Sequence, residues 1–229
     1  MATSGTATFN MDFTEIAEEA WERAGREMRS GYDLRTARRS MNLLTIEWVN
    51  RGVNLWTIEE GSVSLTESTS QYTLEADTID LLEHVIRTNA GNTSTQSDLT
   101  INRIGVGDYA SIPNKLTEGR PIQMWIDRQR YAPVLNLWPV PDKSDTYVLR
   151  YWRIRRIQDA GAGVETADMN YRFLPCLVAG LAYNIALKVP ELVQRIPMLK
   201  EVYEEAFALA AAEDREKTSE YYRPRIGAI

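Results

Sequence analysis

The apolar residues of this chain change their spacing twice, and that double change limits the fold more than any single motif does. Near the N-terminus Phe13, Ile16, Ala17, Ala20, Trp21, Ala24 and Met28 recur at intervals of three and four, which places them on one face of an α-helix. Leu34, Ala37, Met41, Leu44, Thr45 and Trp48 repeat the pattern. From Leu55 to about Arg156 the period falls to two: Val63 and Leu65, Tyr72 and Leu74, and Tyr147, Leu149 and Tyr151 alternate with polar neighbours, as on half-buried strands. Helical spacing then returns with Phe173, Leu177, Leu181 and Ile185, and again with Leu199, Val202, Tyr203, Ala206, Phe207 and Ala210. An amphipathic helix cannot bury its stripe alone, so two helical pairs separated by strands must find each other. The expected fold is α+β: a helical bundle built from both ends of the chain, an inserted antiparallel β domain, and an extended C-terminal tail. The expected divisions are 1–54 and 159–218 for the bundle, 55–158 for the insert and 219–229 for the tail.

Local signals set the element limits. Asp12 caps the first helix, with Glu15 as its capping-box partner, and Gly31 is expected to end that helix; Gly52 stops the second. Residues 119–142, GRPIQMWIDRQRYAPVLNLWPVPD, read as a hairpin. Ile122, Met124 and Ile126 alternate with Gln123, Trp125 and Asp127, and Val134–Trp138 runs until Pro139 and Pro141 remove ladder donors. Residues 89–98 hold almost no apolar side chain and read as a loop, and Asp108 and Tyr109 read as part of a short helix before Pro113. Thr146–Ile157 reads as one long strand. Residues 159–165, DAGAGVE, form the linker out of it, and Pro175 is tolerable only in the first turn of a third helix over Arg172–Lys188.

Composition narrows the chemistry. The 229 residues carry 26 Lys and Arg against 32 Asp and Glu, a net charge of −6, so non-specific attraction to a nucleic-acid duplex is not expected. The opening MATSGTATFNMDF lacks the basic and apolar regions of a secretory signal, and no apolar run is long enough to span a membrane. Cys176 and His84 are the only cysteine and histidine. A Ser-His-Asp or Cys-His mechanism would have to use a histidine that reads as a strand residue in LLEHVIR and a cysteine set among Leu174, Leu177 and Val178. No HExxH, GxGxxG or phosphate-loop motif occurs, so no metal and no cofactor is expected. Glu15, Glu18, Glu19 and Glu22 on the first helix, and Glu201, Glu204, Glu205, Glu213 and Asp214 on the last, read as solvated faces. Glycoside hydrolysis needs one carboxyl held in an apolar pocket.

Three features instead suggest contacts with other proteins. Arg35, Arg38 and Arg39 form a basic patch at the start of the second helix, suited to an acidic neighbouring subunit. Alternation puts Trp125 on the outer face of its sheet. Tyr221, Tyr222, Arg223, Pro224 and Arg225 place two aromatic anchors and two permanent cations on a stretch whose proline fixes an extended path.

In order along the chain, Ala20-Trp21, the segment Arg38–Trp56, Tyr72-x-Leu74 with Asp77-x-Ile79-Asp80, Arg103-x-Gly105 with Asp108-Tyr109, the hairpin closing in Trp138-Pro139-Val140-Pro141-Asp142, and the end AAAEDREKTSEYYRPR resemble one family. It is the family of head-to-tail connector adaptors, or tail tubular proteins, of short-tailed bacteriophages. Glu75 departs from that pattern, which calls for proline after Tyr-Thr-Leu. The resemblance implies a structural, non-enzymatic virion protein of the head–tail neck, made in the bacterial cytoplasm. It would form a ring of twelve copies that binds the portal protein, receives the tail nozzle protein and lets DNA pass through its lumen without specific binding. The C-terminal residues 221–225 would dock on the portal. The alternatives are a virion-associated peptidoglycan hydrolase and a carbohydrate-binding β module. Single apolar stripes on the outer helices, consumed within the bundle, predict a monomer in isolation and rings on the portal or at high concentration.

Overall fold

The computed structural model describes residues 11–53, 55–162 and 164–214. The chain separates into two compact units, one made from the segments up to Trp56 and from Ile157 onward, the other from Thr57–Arg156. The mixed α+β class matches the expectation from spacing.

The first unit is a bundle of four long helices, α1 (Phe13–Ala24), α2 (Gly31–Asn50), α4 (Leu174–Ala186) and α5 (Ile196–Glu213), with α4 packed against the other three. That arrangement explains why α4 is apolar all round: nine of its residues, Cys176 to Ala182 with Ile185 and Ala186, are buried. Its Gly180 lets α2 and α5 approach, since a Cβ there would stand 2.8 Å from the Tyr203 ring and 2.9 Å from Leu44 Cδ2. Pro175 occupies the first turn of α4, where no ladder donor is lost.

The capping box at α1 forms as expected, with Asp12 accepting from the Glu15 amide and Glu15 accepting from the Asp12 amide. Gly31 does not end that helix. Gly25 does, at φ 103°, donating its amide to the Trp21 and Glu22 carbonyls, and the Arg195 side chain crosses so close that a Cβ at Gly25 would overlap it. Met28 therefore lies beyond the helix, and Gly31 opens α2 behind the N-cap Ser30. The second helix is thus Gly31–Asn50, with Gly52 at φ 85° just past its end, and Trp56 sits in a 3₁₀ turn, Leu55–Thr57. A 3₁₀ turn over Tyr171–Phe173 likewise precedes α4, and another over Pro190–Arg195 separates α4 from α5.

The second unit holds two four-stranded sheets. In the first, β1 (Ile58–Ser64), β8 (Tyr147–Arg155), β3 (Thr78–Thr88) and β4 (Ser97–Thr100) lie in that order, all antiparallel. In the second the order is β2 (Gln71–Thr73), β7 (Val134–Trp138), β6 (Gln123–Asp127) and β5 (Asn102–Arg103), with β5 and β6 parallel. Leu81, Ile86, Met124, Leu135, Leu137, Leu149 and Tyr151 belong to one shared core. The β6–β7 hairpin forms where its alternation placed it, except that Ile122 precedes the strand and is 39% exposed. The loop of 89–98 is shorter than expected, because Ser97 and Asp98 pair with Thr88 and Arg87; an Arg87–Asp98 ion pair fastens that register. Gly61 faces Tyr151 across the β1–β8 ladder, and the tyrosine ring fills the space a side chain would take.

Candidate assembly surfaces

Several of the residues able to do acid, base or nucleophilic work have structural roles or are buried. Cys176 is buried in the bundle, and burial pushes its thiol up to about 12, so a thiolate is suppressed near neutrality. His84 is half-buried on β3, and burial lowers its pKa, keeping the ring neutral. Of the α1 carboxylates, Glu15 serves the cap and Glu19 pairs with Arg23 at 2.7 Å. Glu204 forks onto Arg51 at 3.1 and 3.2 Å, and Glu213 pairs with Arg172 at 3.3 Å. Among the described residues no group of three or more His, Cys, Asp or Glu side chains could hold a metal, and no helix is long and apolar enough to cross a membrane.

The contact candidates separate clearly. Arg35, Arg38 and Arg39 do come together: all three are exposed and, with Tyr32, line a depression of about 420 Å³ on α2. Capping by Ser30 sets the helix phase so that Asp33, Thr36, Ala37 and Ser40 turn inward and the arginines outward. Nearby, Lys188 donates to Ser40 Oγ at 2.6 Å, and burial, then the charge of Arg39, lowers its pKa. Trp125 is on the outer face of its sheet as alternation requires, but it is half-covered by the chain itself. Tyr109 of the short helix α3 (Val106–Ser111) packs on it at 5.3 Å between ring centroids. Tyr221, Tyr222, Arg223, Pro224 and Arg225 lie outside the described residues.

Two features of the bundle surface went unseen in the spacing. One is an apolar cavity of about 660 Å³ between α1 and the start of α4, lined by Met11, Leu174, Pro175 and Val178, with Glu19, Arg23, Tyr171 and Arg172 at its edges. The other is a second apolar stripe on α5. Val202 does not join the buried stripe; it is 44% exposed, in line with Met198 and Leu209, while only Leu199, Tyr203 and Ala210 are buried. The expectation that the bundle consumes the apolar face of the last helix is therefore corrected. The signal was present in the sequence, since Met198, Val202 and Leu209 repeat at helical spacing on their own.

The chain is thus a helical bundle with an inserted β unit, carrying charged and apolar surfaces on the bundle. The chain belongs to the SU10 adaptor protein family, whose model matches residues 11–227. It is accordingly a bacteriophage adaptor, a structural component of the virion that meets other capsid or tail proteins. No curated protein matches the chain.

Proposed function

We propose that this adaptor forms a ring, of twelve subunits by family resemblance, between the portal and the tail nozzle of a short-tailed bacteriophage. The ring extends the channel for DNA and gives the nozzle its platform. The observation that carries this reading is the family match across residues 11–227, which spans the bundle, the β unit and most of the tail. In this reading the ends of the chain form the ring body, 55–158 projects toward the tail, and 219–229 reaches the portal. Tyr221, Tyr222, Arg223, Pro224 and Arg225 suit such docking, because Tyr and Arg dominate interface hot spots and a proline lowers the ordering cost of an extended segment. Deleting residues 219–229 is expected to leave the melting temperature almost unchanged and to abolish attachment to portal-bearing heads. Undiminished docking of the truncated protein would move the anchor to the bundle.

A channel wall must let DNA slide. With a net charge of −6 the protein repels phosphate, so no duplex binding is expected at physiological salt. A mobility-shift titration checks this. A salt-sensitive submicromolar shift would reassign Arg35, Arg38 and Arg39 as phosphate contacts.

A further inference from the structure

Two helices of the bundle each present a second face that nothing in the chain's described residues covers. On α2, Tyr32, Arg35, Arg39, Leu43 and Ile46 follow one another at intervals of three and four, so they share one side of the helix, opposite the buried stripe of Ala37, Met41, Leu44 and Trp48. Tyr32, Leu43 and Ile46 are 64%, 65% and 58% exposed. On α5, Met198, Glu201, Val202, Glu205 and Leu209 likewise share one side of the helix, about a third of a turn round from the buried Leu199, Tyr203 and Ala210. Met198, Val202 and Leu209 are 50%, 44% and 68% exposed. Apolar side chains scattered singly on a surface need no explanation, but two aligned rows on helices already packed on their other side do.

The rows differ in charge. The α2 row carries Arg35 and Arg39, with Arg38 beside them, and among the described residues no carboxylate lies within ion-pair distance of these three. Glu201 and Glu205 carry the α5 row and likewise have no cationic partner among the described residues. The remaining acids of α5 are spoken for, Glu204 by Arg51 and Glu213 by Arg172. Each row thus offers three apolar side chains and unpaired charges of one sign, and the signs are opposite.

We infer that the outer row of α2 in one copy packs against the outer row of α5 in the next. This assignment rests on the ring reading above and names its contact. Two different faces meet, so the interface is heterologous. Such contacts propagate head to tail and close into a ring when the rotation per subunit allows. The apolar side chains supply the contact area, and the arginines and glutamates set register and exclude the like-charged pairings of α2 with α2 or α5 with α5. Three apolar side chains a side give only part of the roughly 800 Å² per partner typical of a stable interface. The contact is therefore weak in dilute solution and depends on concentration or on a portal that gathers the copies.

The test uses charge reversal on the full chain. Variant R35E/R39E has two acidic rows and variant E201K/E205K has two basic ones. All four positions are exposed, so circular dichroism and melting should match the wild type. Sedimentation at high protein concentration and low salt is expected to give rings for the wild type and monomers for each variant alone. Mixing the variants in equal amounts is expected to restore rings, because each acidic row then meets a basic one in alternation. Variants that assemble singly like the wild type would overturn the contact and leave the ring reading standing. Loss in each variant without rescue on mixing would overturn the pairing of these two faces. A wild type that stays monomeric at every concentration and on its isolated portal would remove the ring reading and this contact together. Hydrogen exchange supplies the last arm: faster exchange over 196–213 in a monomer truncated of 215–229 would make the chain's own tail the occupant of the α5 row, against the proposal.

Discussion

Trp48→Ala is expected to destabilise the helical bundle by about 3–5 kcal/mol, the cost of emptying a large aromatic site in a packed core. Trp48 is fully buried and stands among Phe173 and Phe207, at 6.1 and 6.2 Å between ring centroids. Its indole N–H donates to Tyr203 Oη at 3.1 Å, so one residue of α2 joins the start of α4 to the middle of α5. Tyr203→Phe separates the two contributions. It keeps the ring and leaves a buried N–H without its acceptor, a loss of about 1–3 kcal/mol. Denaturant unfolding followed by far-ultraviolet circular dichroism measures both variants. A Trp48→Ala protein that unfolds with wild-type stability would contradict the packing described for α2, α4 and α5.

Arg153→Ala is the change expected to harm the β unit most. The arginine is 8% exposed on β8. It donates to Asp77, to Thr78 Oγ1 at 2.9 Å and to Glu59 Oε2 at 3.1 Å, so it ties β1 and the start of β3 to the strand between them. Removing one side of a fully buried network costs about 3–5 kcal/mol. Here the carboxylates are close to half exposed, and solvent screening brings the expected loss down to about 2 kcal/mol. The same site gives the unit an acid sensitivity. The hydrogen bond from Arg153 holds the Asp77 carboxyl below its ordinary value of 3.8. A lowered native pKa stabilises fully above the unfolded value and is lost as pH falls through the native one, so this contribution is complete well above 3.8 and shrinks progressively as the pH falls below it. Unfolding measured at pH 7 and pH 3 should show a smaller difference for Arg153→Met than for the wild type. An equal difference in both would place the acid sensitivity elsewhere.

Where structure follows from neighbours in the chain, it was legible in advance. The Asp12–Glu15 box, the stripe of α1 as far as Ala24, the β6–β7 hairpin and the proline in the first turn of α4 all depend on local spacing. What was not legible depends on distant partners. Gly25 and Gly31 are equally good terminators by composition; the chain stops α1 at Gly25, over which the side chain of Arg195 passes. Glu75, which departs from the pattern of the resembled family, accepts from the hydroxyl of Tyr151, a residue far along the chain, at 2.9 Å. The candidate surfaces divide in the same way. Arg35, Arg38 and Arg39 gather because one helix carries them, whereas the partial covering of Trp125 by Tyr109 needed the path of the intervening chain. The second row of α5 was overlooked because Val202 fits either face until Tyr203 fixes which side is buried.

The pairing of Ile58 with Ile154 on β1 and β8 has a consequence for the order in which the protein is made. Thr57–Arg156, about 100 residues, enters and leaves at adjacent strand partners. On a ribosome α1 and α2 emerge first and must wait for the whole insert before α4, the helix at the centre of their core, arrives. Closing an open loop of that size would cost roughly 4 kcal/mol of chain entropy. Once β8 zips onto β1 that cost has been met inside the insert, and the bundle has only a short stub to bridge. The insert thus acts as a clasp, and its outlying loops can be lengthened or rewritten without retuning the helices they interrupt.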